Sequence, residues 1–160
     1  MQKVIEDSDI YHKILSTLAE HSVHHLKYSH EPVFTSEEAA IARGEDVKMG
    51  AKALVMFADK SPILVVLPGD KRLVTKAFKK SFSVGDLRMA TPEEVYLLTR
   101  LTIGCIPPFG KLMGLKTYQD NKLSENPEIV FNAGAHTKSI KMKYEDYAKI
   151  EQPQIGDFSE

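Results

Sequence analysis

Residues 50–68, Gly-Ala-Lys-Ala-Leu-Val-Met-Phe-Ala-Asp-Lys-Ser-Pro-Ile-Leu-Val-Val-Leu-Pro, constrain the fold more than any other stretch of the chain. Two apolar runs of strand length, Ala51–Ala58 and Pro62–Leu67, flank a short polar turn, Asp59-Lys60-Ser61. Asp and Ser supply local turn bonds, and Pro restarts the chain in an extended shape. Because side chains alternate along a strand, Ala51, Ala53, Val55 and Phe57 share one face, and Lys52, Leu54, Met56 and Ala58 share the other. Both faces are apolar, as in a strand covered on two sides. Lys52 is the exception. It lies either at a strand end open to water or at the mouth of a cavity.

The chain has the length of one domain, residues 1–160, with a core of its own. Its formal net charge is −1, so no global basic field points to nucleic acid, although a local patch remains compatible with that value. One cysteine, Cys105, excludes an internal disulfide and suits a reducing compartment. Met1–Asp7 has no apolar segment of the signal-peptide kind, and no apolar run reaches the ~20 residues of a membrane span. The expected location is the cytoplasm.

Ser8 to His21 reads as a helix, with Ile10, Ile14, Leu15, Leu18 and Ala19 in one stripe and Asp7 or Ser8 as its cap. Val23–Tyr28 reads as a short strand. Thr35-Ser36-Glu37-Glu38 is a capping box opening a helix that runs to about Arg43, where Gly44 supplies a left-handed stop. After the hairpin, Val74, Ala77 and Phe78 mark a short amphipathic helix beside Lys71, Arg72, Lys76, Lys79 and Lys80. This local positive excess is either a solvated face or a phosphate-contacting one. Thr91-Pro92-Glu93-Glu94 is a second capping box, for a helix over Pro92–Thr99. Leu112–Gln119 and Glu128–Ala133 read as strands around an Asp120-Asn121 turn. Ser139–Lys143 alternates again, Tyr144–Lys149 is a short helix, and 152–160 is a polar, loose tail.

Candidate chemistry is sparse. His21, His24, His25 and His30 cluster in sequence but lack the Cys or carboxylate spacing of a metal site, so no metal is expected. Cys105 and His136 could form a thiol nucleophile and its base, yet no third orienting group is evident, and a lone Cys is usually a small buried apolar residue. Neither a Gly-x-Ser-x-Gly elbow nor a Gly-x-x-x-x-Gly-Lys phosphate loop occurs. Gly104-Cys105-Ile106-Pro107-Pro108-Phe109-Gly110 is too rich in Gly and Pro for regular structure. It reads either as a plain connector or as the backbone wall of a binding site. From residues alone, the reading is an α/β domain with a pocket and Lys52 near it.

The order of these segments resembles the YbaK/prolyl-tRNA-synthetase-associated domain family of trans-editing aminoacyl-tRNA deacylases. The resemblance rests on His30-x-Pro32-x-x-Thr35-Ser36-Glu37-Glu38-Ala39-Ala40, Lys52-Ala53-Leu54-Val55, Ala90-Thr91-Pro92-Glu93-Glu94, Gly104-x-x-x-Pro108-Phe109-Gly110 and Phe131-Asn132-Ala133-Gly134. It implies an α/β (α+β) fold, with a curved, mixed, barrel-like sheet and helices around it. It implies Lys52 as the lysine that engages the tRNA 3′ end, and Gly104, Pro108 and Gly110 as the wall against the aminoacyl carbonyl. His30, Thr35, Gly134 and His136 would shape the substrate pocket. The partners implied are the CCA end of an aminoacyl-tRNA, with tRNA(Pro) carrying Ala, Cys, Ser or Thr foremost, and prolyl-tRNA synthetase. No cofactor is implied, and water is activated with help from a ribose hydroxyl of the tRNA. The same fold could instead serve as a non-catalytic module binding a nucleotide or RNA 3′ end.

Overall fold

A computed structural model describes residues 3–160. The strands are β1 (His25–Ser29), β2 (Ala51–Ala58), β3 (Ser61–Pro68), β4 (Leu87–Met89), β5 (Lys116–Asp120), β6 (Glu128–Asn132), β7 (Lys138–Lys143) and β8 (Gln154–Gly156). The α-helices are α1 (Asp9–Glu20), α2 (Ser36–Arg43), α3 (Thr75–Phe82), α4 (Pro92–Thr99) and α5 (Tyr144–Glu151).

The local start and stop signals act as chemistry dictates. Ser8 caps α1 by accepting the Tyr11 N–H, and both capping boxes form, Thr35 with Glu38 and Thr91 with Glu94. Gly44 ends α2 with a left-handed φ of 67°. The β2–β3 turn is tighter than its polar run suggests. Asp59 and Lys60 alone form it, both at positive φ, and Ser61 already pairs with Ala58. Two-residue hairpin turns need that backbone to match the twist of their strands. The Asp59 carboxylate offsets the strain by accepting the Gly85 and Asp86 N–H groups.

The sheet is mixed but not a closed barrel. Five strands run β4-β2-β3-β5-β8, with antiparallel pairs around β2 and parallel pairs around β5. Three antiparallel strands run β1-β7-β6. Among the described residues a bridge from Gly50 to Val130 connects the two sheets. β2 is apolar on both faces because it divides two cores. Ala51 and Val55 enter one with Ile14, Leu18, Phe109, Phe131 and Tyr147. Met56 and Ala58 enter the other with Val65, Leu67, Phe78, Tyr118 and Phe158.

Two expectations fail here. Leu112–Gln119 is not one strand: a 3-10 turn, Gly110–Met113, ends at Gly114 with φ 72°, and β5 starts only at Lys116. The segment 152–160 is not loose. β8 pairs with β5, and Phe158 is fully buried in the second core. Buried Asp120 accepts the Phe158 N–H at 2.7 Å and the Ser159 hydroxyl at 2.8 Å. One aromatic anchor and one buried carboxylate outweigh the polar composition of the segment. β4 and β8, three residues each, are too short for alternation to reveal.

Candidate active site

Where the two sheets meet, a cavity of about 300 Å³ opens. Its walls are the first turn of α2 (Thr35, Ser36, Glu37), Arg43 at the end of that helix, Gly50–Leu54 at the start of β2, Ile103, Gly104 and Ile106, and Phe131 and Asn132 at the end of β6. Four segments distant in sequence therefore converge on one space, and the N-terminal end of α2 brings the positive pole of a helix to it.

Lys52 lines this cavity and is partly buried. Its ammonium donates to the Lys71 carbonyl at 2.7 Å. An ammonium has three protons, so two remain for a ligand. Burial lowers the Lys52 pKa from its ordinary value, and the charges of Glu37 and Asp70 oppose that shift. Among the described residues no carboxylate lies within 4 Å of the Lys52 nitrogen, so the charge is held by the Lys71 carbonyl dipole and by Glu37 and Asp70 at longer range.

Gly104 also lines the cavity and has φ 100°, a backbone region that side chains disfavour. Its carbonyl accepts from Asn132 Nδ2 at 2.5 Å. No acceptor meets its N–H among the described residues. Arg43 lies against Gly50 and donates from Nη1 to Ser139 Oγ at 3.2 Å. Burial presses its pKa down to about 10, and its Nε is buried without a partner. Sequence reasoning singled out neither Arg43 nor Asn132 as a site residue, although Asn132 stands inside a quoted motif.

Residues 30–150 match the family described as the aminoacyl-tRNA editing domain. The chain belongs to that family. Its members' chemistry is hydrolysis of the ester between an amino acid and tRNA, and this chain is an editing-domain hydrolase of that class. The multifunctional Ser/Thr-tRNA deacylase ProXp-y of Escherichia coli K12 is 32% identical over 165 residues, covering 99% of this chain and 98% of the relative. A proline–tRNA ligase of Nitratidesulfovibrio vulgaris DP4 is 32% identical over 112 residues, which cover 68% of this chain but 19% of the ligase. A solved structure, assigned provisionally as a trans-editing enzyme for prolyl tRNA synthetase, is 28% identical, covers 97% of this chain and 99% of its own, and superposes with a TM-score of 0.80.

Within this editing domain the residues expected at the site divide. Lys52, Gly104 and Thr35 line the cavity, although the Thr35 hydroxyl is engaged in capping α2. Pro108, Gly110, Gly134, His136 and His30 are not among its walls. The Pro108 carbonyl accepts the Tyr147 hydroxyl at 2.7 Å, beneath the loop. A Cβ on Gly110 would stand 2.5 Å from the Leu115 carbonyl oxygen, so this glycine permits a backbone crossing. Gly134 serves a similar crossing: its carbonyl accepts the Ser8 hydroxyl, and a Cβ there would stand 2.7 Å from that oxygen.

His136 is fully buried with both ring nitrogens engaged. Nδ1 accepts the Ile5 N–H at 2.9 Å, which makes Nε2 the protonated nitrogen facing the Ile103 carbonyl at 3.1 Å. The Phe34 ring packs on it at 4.7 Å. His136 thus clamps the N-terminal segment to the 103–104 loop. Cys105 is buried with its thiol directed at the Thr102 carbonyl, and burial pushes its pKa up to about 11. A thiol so protonated, with no imidazole nitrogen to spare at His136, is not built as a nucleophile. Among the described residues no group of His, Cys, Asp and Glu side chains is arranged to hold a metal ion, and no helix is long and apolar enough to cross a membrane.

Proposed function

We propose that this editing domain acts in trans, removing a small, wrongly attached amino acid from tRNA, with Ser or Thr on tRNA(Pro) as the foremost substrates. The observation that carries this reading is the pairing of a partly desolvated Lys52 ammonium and an uncommitted Gly104 N–H on the walls of one small cavity. The Ser/Thr specificity is supported by the full-length likeness to ProXp-y, and the prolyl carrier by the likeness to part of a proline–tRNA ligase.

The chemistry follows from what an ester requires. Water adds to the carbonyl carbon, negative charge gathers on the carbonyl oxygen, the carbon–oxygen bond to the ribose breaks, and the ribose oxygen takes up a proton. The products are a free amino acid and a tRNA with both terminal hydroxyls. The Gly104 N–H serves the developing oxyanion, and a donor fixed before the reaction pays no reorganisation cost at that moment. Lys52 and the N-terminal end of α2 hold the phosphate of the terminal nucleotide. An aminoacyl ester is already reactive, so no covalent intermediate is needed, in keeping with the protonated, buried Cys105. Beyond the cavity, Arg72, Lys76 and Lys80 are exposed on the turn and helix that follow Lys71, where they can meet acceptor-stem phosphates.

The test is deacylation of tRNA(Pro) charged with Ala, Cys, Ser, Thr or Pro by the wild type and Lys52→Ala. Rapid loss of the seryl or threonyl ester, slowed about 100-fold in the variant, is the expected result. A wild type that binds a non-hydrolysable aminoacyl-tRNA analogue yet leaves every ester intact would overturn it in favour of a silent binding module.

A further inference from the structure

The editing reading leaves the buried hydroxyl of Ser139 unexplained. Ser139, in the middle strand of the three-stranded sheet, is fully buried, and its hydroxyl is the hub of three other side chains. Arg43 Nη1 reaches it at 3.2 Å, His30 Nε2 lies at 2.8 Å, and Asn132 Oδ1 lies at 3.3 Å. Asn132 then donates its amide to the Gly104 carbonyl at 2.5 Å. His30 Nδ1 is fixed in turn by the Glu31 carbonyl at 2.8 Å. The pattern is a chain of contacts running from α2 and the end of β1, through β7 and β6, to the cavity loop.

The strand register builds this chain. Ser139 pairs across β7 with Asn132 of β6 on one side and with Tyr28 of β1 on the other, so the serine and asparagine share a face at the cavity end of the sheet. Within the loop, one long bond restrains the peptide that follows Gly104, from the Cys105 N–H to the Thr102 carbonyl at 3.3 Å, and it leaves the carbonyl side of that peptide unheld. Here the peptide is pinned from outside, by an amide whose other end is held inside the sheet. A buried hydroxyl receiving a charged donor is also polarised, which strengthens the bonds it makes.

We propose that Ser139 is a positioning residue for the editing reaction: with Arg43 and His30 behind it, it sets Asn132, whose amide holds the Gly104 carbonyl and so fixes the Gly104–Cys105 peptide, joined through one Cα to the Gly104 N–H that serves the ester. This inference deepens the editing reading and rests on it for the identity of the reaction. The geometry of the Gly104 peptide itself is independent of any substrate. Arg43, a guanidinium with no carboxylate within 4 Å among the described residues, lies where it strengthens the relay without competing for an ion pair.

Two measurements test it. In the substrate-free protein, Ser139→Ala should shift the backbone amide signals of Gly104 and Cys105 and leave those of the β2–β3 turn in place, and Ser139→Thr should restore them. Unmoved Gly104 and Cys105 signals would overturn the proposal whether or not any ester is cleaved. In deacylation of the ester the wild type cleaves fastest, Ser139→Ala should lower kcat about 10- to 100-fold with KM within about twofold, the size expected for a misplaced reacting group. Because Ser139 acts through Asn132, the double variant Ser139→Ala/Asn132→Ala should be no slower than Asn132→Ala alone. Additive losses, or a raised KM with kcat unchanged, would overturn it. Should Ser139→Ala fail to fold, Arg43→Lys, altered at the partly exposed end of the relay, repeats both measurements. A wild type that cleaves no ester would count against the editing reading, and the amide signals would still decide the role of Ser139.

Discussion

The two ends of the loop Gly104–Gly110 look alike in sequence and do opposite work. Gly104 stands on the cavity wall with a free N–H, and the atoms nearest its missing Cβ, His136 Nε2 and the Phe34 carbonyl, are 3.3 Å away. Gly110 is buried beneath, where a Cβ would lie 2.2 Å from Thr117 Oγ1 and 2.5 Å from the Leu115 carbonyl oxygen. Around that second end, Tyr147 holds the Pro108 carbonyl, and Glu151 accepts both the Lys111 N–H and the Thr117 hydroxyl. One end of the loop is open to the cavity, and the other is welded to the core. A glycine signals a close approach, but not whether the approaching partner is a ligand or the protein itself.

The sharpest break of this comparison is at the welded end. Gly110→Ala should destabilise by about 3 kcal/mol, the upper range for overpacking against backbone, and lower Tm by about 6–12 °C. Turnover per folded molecule should stay near that of the wild type. Gly104→Ala should show the converse: about 1 kcal/mol of stability lost to a strained left-handed alanine, with kcat down about tenfold or more. Thermal melts and single-turnover deacylation of both variants would separate them. Equal loss of activity per folded molecule in the two would erase the distinction.

A smaller effect probes the weld electrostatically. Burial raises the Glu151 carboxyl above its ordinary value of 4.5, against the lowering effect of its bonds to Thr117 and Lys111, and its Oε1 has no partner. An acid with a raised folded-state pKa keeps its proton longer in the fold. Its contribution is therefore most favourable at low pH and declines as pH climbs from 4.5 to the raised value. Glu151→Gln should accordingly be more stable than wild type at neutral pH, and the gap should narrow below the ordinary carboxylate range. Denaturant melts across pH would show it; a gap independent of pH would remove the charged carboxylate from the account.

The smallest expected effect lies between the two ends. Cys105→Ser keeps a donor for the Thr102 carbonyl, so turnover should change by less than about twofold, with at most about 1 kcal/mol of stability lost. A large loss of kcat at unchanged stability would revive the thiol as a participant.

Much of the fold was legible because its signals are local. The cap of α1, both capping boxes, the Gly44 stop and the two-faced β2 each depend on residues a few positions apart. The misreadings have equally specific causes. Leu112–Gln119 contains the apolar residues of a strand, but Gly114 at positive φ breaks it. The polar tail conceals one phenylalanine and a hydrogen-bonding partner, Asp120, almost forty residues earlier.

By itself, the sequence determined the capped helices and the β2–β3 hairpin, the need to cover β2 on both sides, the oddity of Lys52 and the family motifs. Tertiary structure alone decided where each motif residue sits and what it touches. It put Lys52 and Gly104 on one cavity, turned His136 into a clamp on Ile5, and made Ser139, on which no motif rests, the hub between Arg43 and Asn132. The physical reason is distance along the chain. Caps and alternation are settled within a turn or a strand, whereas Arg43 and Ser139 meet across 96 positions, and only the pairing of β1, β7 and β6 beside α2 brings their atoms into reach.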